Sequence, residues 1–302
     1  MQEKPPIVLV AYNRPHYFEK VLQSLVGQTQ DRSTFCVIDG PRNSSDAELA
    51  NHCVDLCLKY LPKCSIHKQE QNQGVARIMK IARNLGFSRG EFAIIIEDDS
   101  LLQPHYIQQL DILINLFKDD ERVCMLNCFG EHHRSQSSHK YSYIDYENQA
   151  FKKSSLDQQE RNKDKLVLMD HLWAYAIRKS SYKKIEDIIE AYLSLIPNDY
   201  RQRPHFNIES LMASFGVDPR KIVSSQDSCT SAAFAARGMI KIATFTNNFE
   251  YIGETGEHSR PRDFAIEGWR DQDVNNKLQE TFLVNEDVIS EISEHMQKKY
   301  LL

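Results

Sequence analysis

The feature that most constrains the fold is the run Phe-Ala-Ile-Ile-Ile-Glu-Asp-Asp at residues 92–99. Five consecutive apolar residues predict a strand that is buried on both faces, as in a sheet covered by helices on both sides. The three acids that follow cannot remain inside such a sheet, so we expect the chain to reach the surface at Glu97. This position is the carboxyl end of a central strand, the edge where open α/β sheets bind their ligands.

Apolar strands and amphipathic helices alternate along the first half of the chain. Strands are predicted at 7–11, 35–38, 64–67, 92–97 and 123–128, and helices after Pro15, from a capping box at Ser45–Glu48, over Val75–Leu85 with Gly86 as the stop, and over Pro104–Phe117. Further on, ordered segments are predicted at 166–177, 178–195, 207–215, 221–224 (a short strand) and from Glu286 onwards. The alternation predicts an α/β fold with a mostly parallel central sheet flanked by helices.

The composition limits the classes of binding partner and the cellular location that we expect. A net charge of −5 and a pI near 6.1 argue against binding to nucleic acid. No apolar run approaches the roughly 20 residues of a membrane span, and the N-terminus does not resemble an export signal. We therefore expect a cytoplasmic protein. The helix after Glu286 carries an apolar stripe that includes Ile289 and Met296; it is expected to dock on its own domain, with peripheral contact to the inner face of a membrane as the alternative.

Seven cysteines without an export signal fit reduced thiols in a cytoplasm. Cys53, Cys57, Cys64 and His67 are spaced closely enough for zinc to be considered. However, Cys53 and Cys57 fall on the apolar stripe of a predicted helix, where a free cysteine behaves as a small hydrophobic residue. Core packing is the favoured interpretation.

Four polar segments are predicted to meet at one edge of the sheet. They are Ala11-Tyr-Asn-Arg14 after the first strand, Asp39-Gly-Pro-Arg42 after the second, Asn72–Arg77 at a helix start, and Glu97-Asp98-Asp99. Each follows a strand or begins a helix, so the topology brings them together.

The residue types in these segments fit a nucleoside diphosphate. Tyr12 offers a flat surface for stacking on a base, and Asp39 can accept a hydrogen bond from a base N–H. Arg14 and Arg77 can bind phosphates through their guanidinium groups. The carboxylates at 97–99 suit a hard divalent cation, Mn²⁺ or Mg²⁺, that neutralises the diphosphate.

Each of these residues also has a purely structural interpretation. Asp98 and Asp99 can cap the following helix, and Asp39 can be a turn residue before Gly40-Pro41. Arg77 can lie on an ordinary solvated helix face. These alternatives stay open at the level of the single residues, and the coincidence of four such segments favours a ligand site.

Three stretches resemble the nucleotide-binding half of a known family. VAYNRPHYFEKVLQSL, NQGVARIMKIARNLG and FAIIIEDDSLLQPHYIQQL look like metal-dependent glycosyltransferases of the nucleotide-diphospho-sugar (GT-A) fold. EDDSLLQP is especially similar to N-acetylglucosaminyltransferase I and to bacterial surface-polysaccharide transferases. Later islands, HLWAYAIRKSSYKKI and FEYIGETGEH, resemble a donor-sugar and acceptor segment and a Gly-rich segment that ends in a metal- or diphosphate-facing histidine.

The resemblance implies roles for single residues. Asp99 would bind the metal, and His258 would complete the metal or diphosphate site. Glu97 and Asp98 would face the sugar and the ribose, and Asp39 would bind the uracil. The sequence has Glu-Asp-Asp where the family more often has Asp-X-Asp, and Gly40 where a second acid often follows the base-binding Asp. The predicted nucleotide-sugar site consists of Ala11, Tyr12, Asn13, Arg14, Asp39, Gly74, Arg77, Glu97, Asp98 and Trp173.

Inverting transfer needs a carboxylate that accepts the proton of the acceptor hydroxyl. Asp227 in Ser-Ser-Gln-Asp-Ser is our candidate, with Glu209 and Asp170 as substitutes and helix capping as its structural alternative. Trp173 is expected to present an aromatic platform to a sugar or to be a core residue.

The sequence thus predicts one domain over residues 1–302. Its parts would be a nucleotide-binding half (5–130), a polar, mobile surface excursion (131–165), an acceptor and catalytic half (166–270) and a helical tail (271–302). The expected activity is transfer of a sugar, an N-acetylhexosamine by the resemblance, from a UDP-sugar to a hydroxyl of a glycan or glycolipid. The alternatives are a nucleotidyltransferase that makes sugar nucleotides, which the lack of glycine in Tyr12–Pro15 disfavours, and a sugar-binding module without catalysis.

Overall fold

The structure, a computed structural model, describes residues 4–29, 31–130, 156–256, 260–266 and 269–301. The strands are β1 (Ile7–Ala11), β2 (Thr34–Ile38), β3 (Ser65–Lys68), β4 (Phe92–Glu97), β5 (Ser100–Leu102), β6 (Val123–Asn127), β7 (Leu166–Leu168), β8 (Ala174–Arg178), β9 (Ile240–Thr244) and β10 (Phe249–Tyr251). The α-helices are α1 (Pro15–Leu25), α2 (Ser44–Tyr60), α3 (Gly74–Phe87), α4 (Tyr106–Phe117), α5 (Leu156–Arg161), α6 (Lys179–Lys183), α7 (Glu186–Leu195), α8 (His205–Ala213), α9 (Gln226–Ala236), α10 (Pro261–Ile266) and α11 (Glu286–Tyr300). Short 3₁₀ helices lie at Tyr200–Gln202, Pro219–Lys221 and Trp269–Asp271.

The central sheet has eight strands in the order β3-β2-β1-β4-β8-β6-β9-β7. Parallel pairs join β1 with β2 and β4, β2 with β3, and β6 with β9. Strand β8 is antiparallel to β4 and β6, and β7 is antiparallel to β9, so six strands run one way and two the other. The predicted α/β class with a mostly parallel, helix-flanked sheet is confirmed.

The core sits on the sheet because its central strands are apolar throughout. Ile94, Ile95 and Ile96 are fully buried, and helix α3 packs against β1 and β4. Gly86 lies inside this helix, where an added Cβ would come 2.5 Å from the Cβ of Ala93. The prediction that Gly86 stops the helix is therefore wrong, because this glycine lets the helix approach the sheet closely.

Two predicted helix starts are displaced. Helix α2 begins at Ser44, and Asn43 is its N-cap, with its side-chain oxygen accepting from the Asp46 N–H at 2.9 Å. Asparagine caps as well as serine does, so the cap lies two residues before the predicted Ser45. Helix α4 begins at Tyr106 rather than Pro104, because residues 100–102 form β5, which pairs antiparallel with β10.

Two other segments have a form that the sequence did not predict. Residues 166–177 are two strands, β7 and β8, and the break between them enters the functional cavity described below. Residues 221–224 are not a strand, since Lys221 ends a 3₁₀ helix and the main-chain oxygen of Ser224 accepts side-chain hydrogen bonds from Tyr192 and Arg203.

The last ten residues of the predicted polar excursion, 156–165, contain helix α5. Its Gln159 is fully buried, donates to the main-chain oxygen of Asp273 at 2.9 Å and accepts from the Asn247 N–H at 3.2 Å. This part is therefore tied to the domain, contrary to the predicted mobile excursion. Residues 131–155, the remainder of that prediction, lie outside the described residues.

The tail helix α11 packs on the domain, against α9, β7 and β9. Its apolar stripe, with Ile289, Ile292 and Met296, is at most 3% exposed, so this stripe is used inside the protein rather than on a membrane. Cys53 and Cys57 are fully buried, as core packing predicts. In the part of the chain that the structure describes, no helix has both the length and the apolarity to cross a bilayer.

Candidate active site

A cavity of about 790 Å³ lies at the edge of the sheet where β1, β2 and β4 end. All four predicted segments contribute to its lining: residues 11–14, Asp39 with Arg42, Gly74 with Val75, and residues 97–99. Further parts of the lining come from α9, from the chain between β7 and β8, and from the end of α11. The volume falls in the range of about 300–1,000 Å³ that is usual for small-molecule sites.

The acids at the end of β4 form a buried cluster. Asp98 and Asp99 are each 4% exposed, and Glu97 is half-buried. Arg14 at the end of β1 forms ion pairs with both aspartates, with 2.9 Å from its Nη2 to Asp99 Oδ2. Burial raises the pKa of Asp98 to about 6 although Arg14 opposes the shift, and burial together with Asp227 raises the pKa of Glu97. The cluster thus has more negative charge than Arg14 alone can balance.

Asp99 has a feature that fits a metal ligand. Its Oδ1 atom is buried and has no hydrogen-bond partner, whereas Oδ2 faces Arg14. An unpaired buried carboxylate oxygen is costly, and a hard cation would satisfy it. Among the described residues no group of three His, Cys, Asp or Glu side chains is arranged to hold a metal ion. The predicted second ligand, His258, lies outside the described residues. Asp99 therefore fits as one protein ligand of a cation that takes its other oxygens from phosphate and water.

The chain after β10 passes directly over this cluster. A Cβ added to Gly253 would lie 2.6 Å from Asp99 Oδ2, and one added to Gly256 would lie 3.1 Å from Arg14 Nη1. Between them, the N–H of Thr255 donates to the hydroxyl of Tyr17 at 3.0 Å. The two glycines thus allow the main chain to lie on the acid cluster, as the Gly-rich segment predicts.

Replacing Gly253 with alanine should disturb the acid cluster without unfolding the protein. The new Cβ would crowd both Asp99 Oδ2 and the hydroxyl end of Tyr251, which must shift. We therefore expect UDP binding in the presence of Mn²⁺ to weaken about 10-fold, with a loss of about 1–3 kcal/mol in stability. Isothermal titration calorimetry and thermal unfolding measure the two effects. Gly90→Ala is the control, because its nearest heavy atom would be 3.4 Å away. Unchanged UDP binding by Gly253→Ala would contradict the predicted crowding.

The predicted base-stacking residue Tyr12 is fixed from two sides. Its hydroxyl donates to Asp46 Oδ2 at 2.6 Å, and the Arg42 guanidinium lies 5.3 Å from its ring centre. Asn13 donates to the other oxygen of Asp46 at 2.7 Å. Asp46, in the first turn of α2, therefore orients the segment that lines the cavity after β1. A base that stacks on Tyr12 shares the ring with Arg42.

Asp39 has a full set of hydrogen bonds. Oδ1 accepts from the N–H groups of Gly40 (2.8 Å) and Gln73 (2.7 Å), and Oδ2 accepts from the N–H of Gly74 (3.0 Å) and the side-chain amide of Asn72 (3.0 Å). A carboxylate has about four acceptor positions. Its role in holding the turn is therefore observed. Contact with a base stays a prediction, and it would require the base to take the place of the Asn72 amide.

Arg77 is not among the cavity-lining residues. It donates to the main-chain oxygens of Ile196 and Pro197, the latter at 3.2 Å, so it joins α3 to the chain after α7. The geometry therefore gives no support to the predicted phosphate contact. Ala11 and Gly74 do line the cavity, and Gly74 begins α3 with a φ of 72°, a conformation that favours glycine.

Trp173 lines the cavity, but not as an open platform. Its ring is stacked between His171 and Tyr251, with centroid distances of 4.1 Å and interplanar angles of 6° and 8°. Trp269 contacts it edge-on at 5.1 Å. Both faces of Trp173 are covered, so the geometry gives no support to a sugar stacked on its face. The stack of three rings as a whole forms this part of the wall.

Asp227 lies in the first turn of α9 and faces the cavity. The helix cap is Ser225, whose side chain accepts from the Ser228 N–H, so Asp227 is not the N-cap. Burial raises its pKa to about 6, although the cations Arg83 and Lys241 oppose the shift.

A buried network supports Asp227 from behind. With the Gln226 amide nitrogen facing Asp227 Oδ1 at 2.6 Å, the Gln226 oxygen accepts from Arg83 at 2.7 and 3.1 Å. Arg83 is 1% exposed and also donates to the hydroxyl of Tyr175 at 2.9 Å. Gln226 therefore bridges Arg83, on α3, and the Asp227 carboxylate through hydrogen bonds.

Of the two substitute bases, Glu209 on α8 is not among the cavity-lining residues, whereas Asp170 is. Asp170 forms an ion pair with Lys299, and its side chain is 11% exposed. Asp227 interacts with the acid cluster, since its charge contributes to the raised pKa of Glu97, whereas Asp170 is not among the main causes of that shift. The cavity geometry therefore keeps Asp227 as the first candidate.

Sequence comparison assigns the family. The model of Glycosyl transferase family 2 matches residues 7–185, more than half of the chain. The chain belongs to glycosyl transferase family 2. The match contains the acid cluster and Trp173 and ends before α9 and α11, so Asp227 and Lys299 lie beyond it. The predicted GT-A glycosyltransferase family is confirmed at this level, and the closer resemblance to N-acetylglucosaminyltransferase I stays a prediction.

Individual relatives of this family 2 protein are distant. Protein CgeD of Bacillus subtilis (strain 168) is 24% identical over 111 residues, which are 36% of this chain and 26% of CgeD. The chain thus spans about a quarter of the length of that curated relative. Glucosyl-3-phosphoglycerate synthase from Mycobacterium tuberculosis, in complex with Mn²⁺, UDP and glucosyl-3-phosphoglycerate, is 14% identical with a TM-score of 0.38 over 64% of each chain. UDP-glucose pyrophosphorylase with UDP-glucose is 9% identical, with a TM-score of 0.42 over 88% of this chain and 97% of that one. Likenesses of this size say nothing about the reaction.

Several residues of the site were missed by the sequence reasoning. Asp46, Arg83, Gln226, Lys241 and Lys299 all act on cavity-lining groups or line the cavity themselves. Arg83 lies on the buried face of α3 between Met79 and Phe87, an unusual place for a cation, and this was the one available signal. The others depend on contacts between distant parts of the chain.

Proposed function

We propose that this family 2 protein is a metal-dependent glycosyltransferase that moves a sugar from a UDP-sugar to a hydroxyl group. The observation that carries the proposal is the cavity itself, in which the Asp98–Asp99 cluster and Asp227 face one space. The cluster provides an anionic cradle with an unsatisfied oxygen for a cation, and Asp227 provides a separate carboxylate for proton transfer.

In the proposed reaction, residues 11–14 and Asp39 hold the nucleotide, and Arg14 faces the diphosphate. A divalent cation at Asp99 would neutralise the charge that develops on the departing diphosphate. Asp227 accepts the proton of the acceptor hydroxyl. The hydroxyl oxygen forms the new bond to the anomeric carbon while the bond from that carbon to the diphosphate oxygen breaks. Because attack and departure are on opposite faces of the sugar, the configuration inverts.

The identities of the donor and the acceptor are proposed from the family resemblance and from the polar cavity wall. The resemblance of the first 128 residues favours an N-acetylhexosamine as the sugar and Mn²⁺ or Mg²⁺ as the metal. The acceptor is proposed to be a glycan or a glycolipid. A polar cavity wall with serine, aspartate and lysine side chains supports a hydroxyl-rich acceptor.

The test is UDP release by the purified protein from a panel of UDP-sugars, with Mn²⁺, with Mg²⁺ and with EDTA. We expect slow release that depends on the metal and selects one or two donors. Formation of pyrophosphate from UTP and a sugar 1-phosphate would instead indicate the nucleotidyltransferase alternative. UDP-sugar binding without any turnover, with and without acceptors, would indicate the binding module.

The pH dependence follows from the raised pKa of Asp227. A base must be ionised, so kcat/KM should fall about tenfold per pH unit below about 6, the pKa that burial gives this group, rather than below about 4 as for an exposed aspartate. A pH profile between 4.5 and 8 measures the acid limb. The pKa of Asp98 is also raised to about 6. If Asp227 causes the fall of kcat/KM at low pH, an Asp98→Asn variant should show the same fall. If the fall disappears in this variant, it belongs to Asp98.

A further inference from the structure

An ion pair lies in the wall of the same cavity. Asp170, between β7 and β8, pairs with Lys299 at the end of α11, and their side chains are 11% and 5% exposed. Both residues line the cavity. A buried ion pair adds little to stability compared with apolar residues of the same size. Its place in the cavity wall suggests that it serves a ligand.

The pair is connected to Asp227 by polar groups along α9. Lys241, fully buried, donates to Ser231 Oγ at 2.7 Å and to the main-chain oxygen of Asp170 at 3.2 Å. Ser231 follows Asp227 by four residues, so the two lie on the same face of the helix. A row of hydrogen-bonding groups therefore runs from Asp227 through Ser231 to Asp170 and Lys299.

The end of α11 is held in place by the main chain. The Asp218 N–H donates to the Tyr300 oxygen at 2.9 Å, Lys221 Nζ donates to the Leu301 oxygen at 2.6 Å, and Leu301 forms a β-bridge with Val217. Lys299 is thus fixed at the cavity although it lies near the end of a surface helix. Such fixing is what a specific contact with a ligand requires.

We propose that Asp170, Ser231 and Lys299 form the acceptor subsite, and that it takes a neutral, polyhydroxylated group such as a sugar residue. The proposal rests on the proposed function, because the acceptor hydroxyl has to reach Asp227. Carboxylate and ammonium groups together can accept from and donate to neighbouring hydroxyls, and the serine hydroxyl can do both.

The excess of carboxyl groups in the cavity lining disfavours an anionic acceptor. Of the described cavity-lining residues, six carry carboxyl groups and four are Arg or Lys. The six are Asp39, Glu97, Asp98, Asp99, Asp170 and Asp227; the four are Arg14, Arg42, Lys221 and Lys299. Lys299 is already paired with Asp170, and Lys241 already donates to Ser231 and to the Asp170 main-chain oxygen. A carboxylate or phosphate on the acceptor would therefore have to compete with Asp170 for these cations while it lies near the Asp227 carboxylate.

The experiment separates acceptor binding from donor turnover. UDP release from the best donor is measured alone and with methyl β-D-glucopyranoside, methyl β-D-galactopyranoside or methyl N-acetyl-β-D-glucosaminide, and with glucuronate or glycerol 3-phosphate as anionic probes. We expect a neutral glycoside to accelerate release. In Asp170→Asn, Ser231→Ala and Lys299→Met its KM should rise about 10-fold or more, with a smaller change in kcat.

Lys298→Met is the matched control, because Lys298 is the exposed neighbour on the same helix. Thermal unfolding excludes a folding defect, and the isosteric Asp170→Asn serves if Lys299→Met is unstable. Acceleration only by the anionic probes, no acceleration by any neutral glycoside, or an unchanged KM in all three variants would overturn the subsite while leaving donor turnover, and with it the proposed function, intact. Absence of any UDP release would instead contradict the proposed function. In that case saturation-transfer NMR with the methyl glycosides, UDP and Mg²⁺ still tests the subsite, which no glycoside signal would overturn.

Discussion

Asp227→Asn should lower the rate of sugar transfer by about 10²- to 10⁴-fold, the usual contribution of a general base. The amide keeps the size of the side chain and can still contact Gln226, so the fold and UDP binding should be unchanged. The decrease should appear in kcat rather than in the KM of the donor, because the proton moves only in the transition state. Steady-state kinetics with the methyl glycoside that most accelerates UDP release, together with UDP titration, measure both effects.

Glu209→Gln is the matched control for this variant. Glu209 was a substitute candidate in the sequence, but it is not among the residues that line the cavity. We expect it to retain full activity. A fully active Asp227→Asn would show that the base is another group, and Asp170 would be tested next.

Asp99→Asn should have the second large effect, a loss of turnover on the order of 10³-fold, because the proposed protein ligand of the cation is replaced. The binding of Mn²⁺ in the presence of UDP, followed by electron paramagnetic resonance, should weaken in parallel. Stability should change little, since Arg14 keeps its pair with Asp98 while a crowded negative charge is removed. Loss of activity together with loss of the folded state would contradict this reading.

Asp120→Asn is the comparison variant for Asp99. Asp120 is bonded to Arg122, and neither residue lines the cavity. Its replacement should leave Mn²⁺ binding and turnover unchanged. Undiminished Mn²⁺ binding by Asp99→Asn would mean that the cation is held elsewhere or that the protein does not need one.

The sequence predicted the part of the fold that depends on local pattern. The strands 7–11 and 92–97 are visible as continuous apolar runs because both faces of the sheet are covered, and the helices are visible as apolar stripes because one face of each is buried. The acid cluster was predicted for the same reason, since charges directly after a buried strand have to lie at its end.

What the sequence did not predict depends on contacts between distant residues. The local pattern predicts that Gly86 ends the helix, but in the structure Gly86 lies inside the helix and packs closely against Ala93 on β4. One face of Trp173 is covered by its near neighbour His171, but the other is covered by Tyr251 on β10, far along the chain, so the covering of both faces has no local signal. Arg77 carries the same charge whether it meets phosphate or a main-chain oxygen, and only the position of Pro197 decides.

The antiparallel strand β8 has a consequence for how substrates enter. It lies between β4 and β6, and the Glu97 N–H donates to the Trp173 oxygen at 3.0 Å, so two segments that line the cavity are joined by the hydrogen bonds of the central sheet. They cannot swing apart as two lobes about a hinge without breaking the middle of the sheet. Substrate entry and release therefore cannot depend on separation of these two strands, and in the proposed reaction this rigid frame would set the spacing between donor and acceptor.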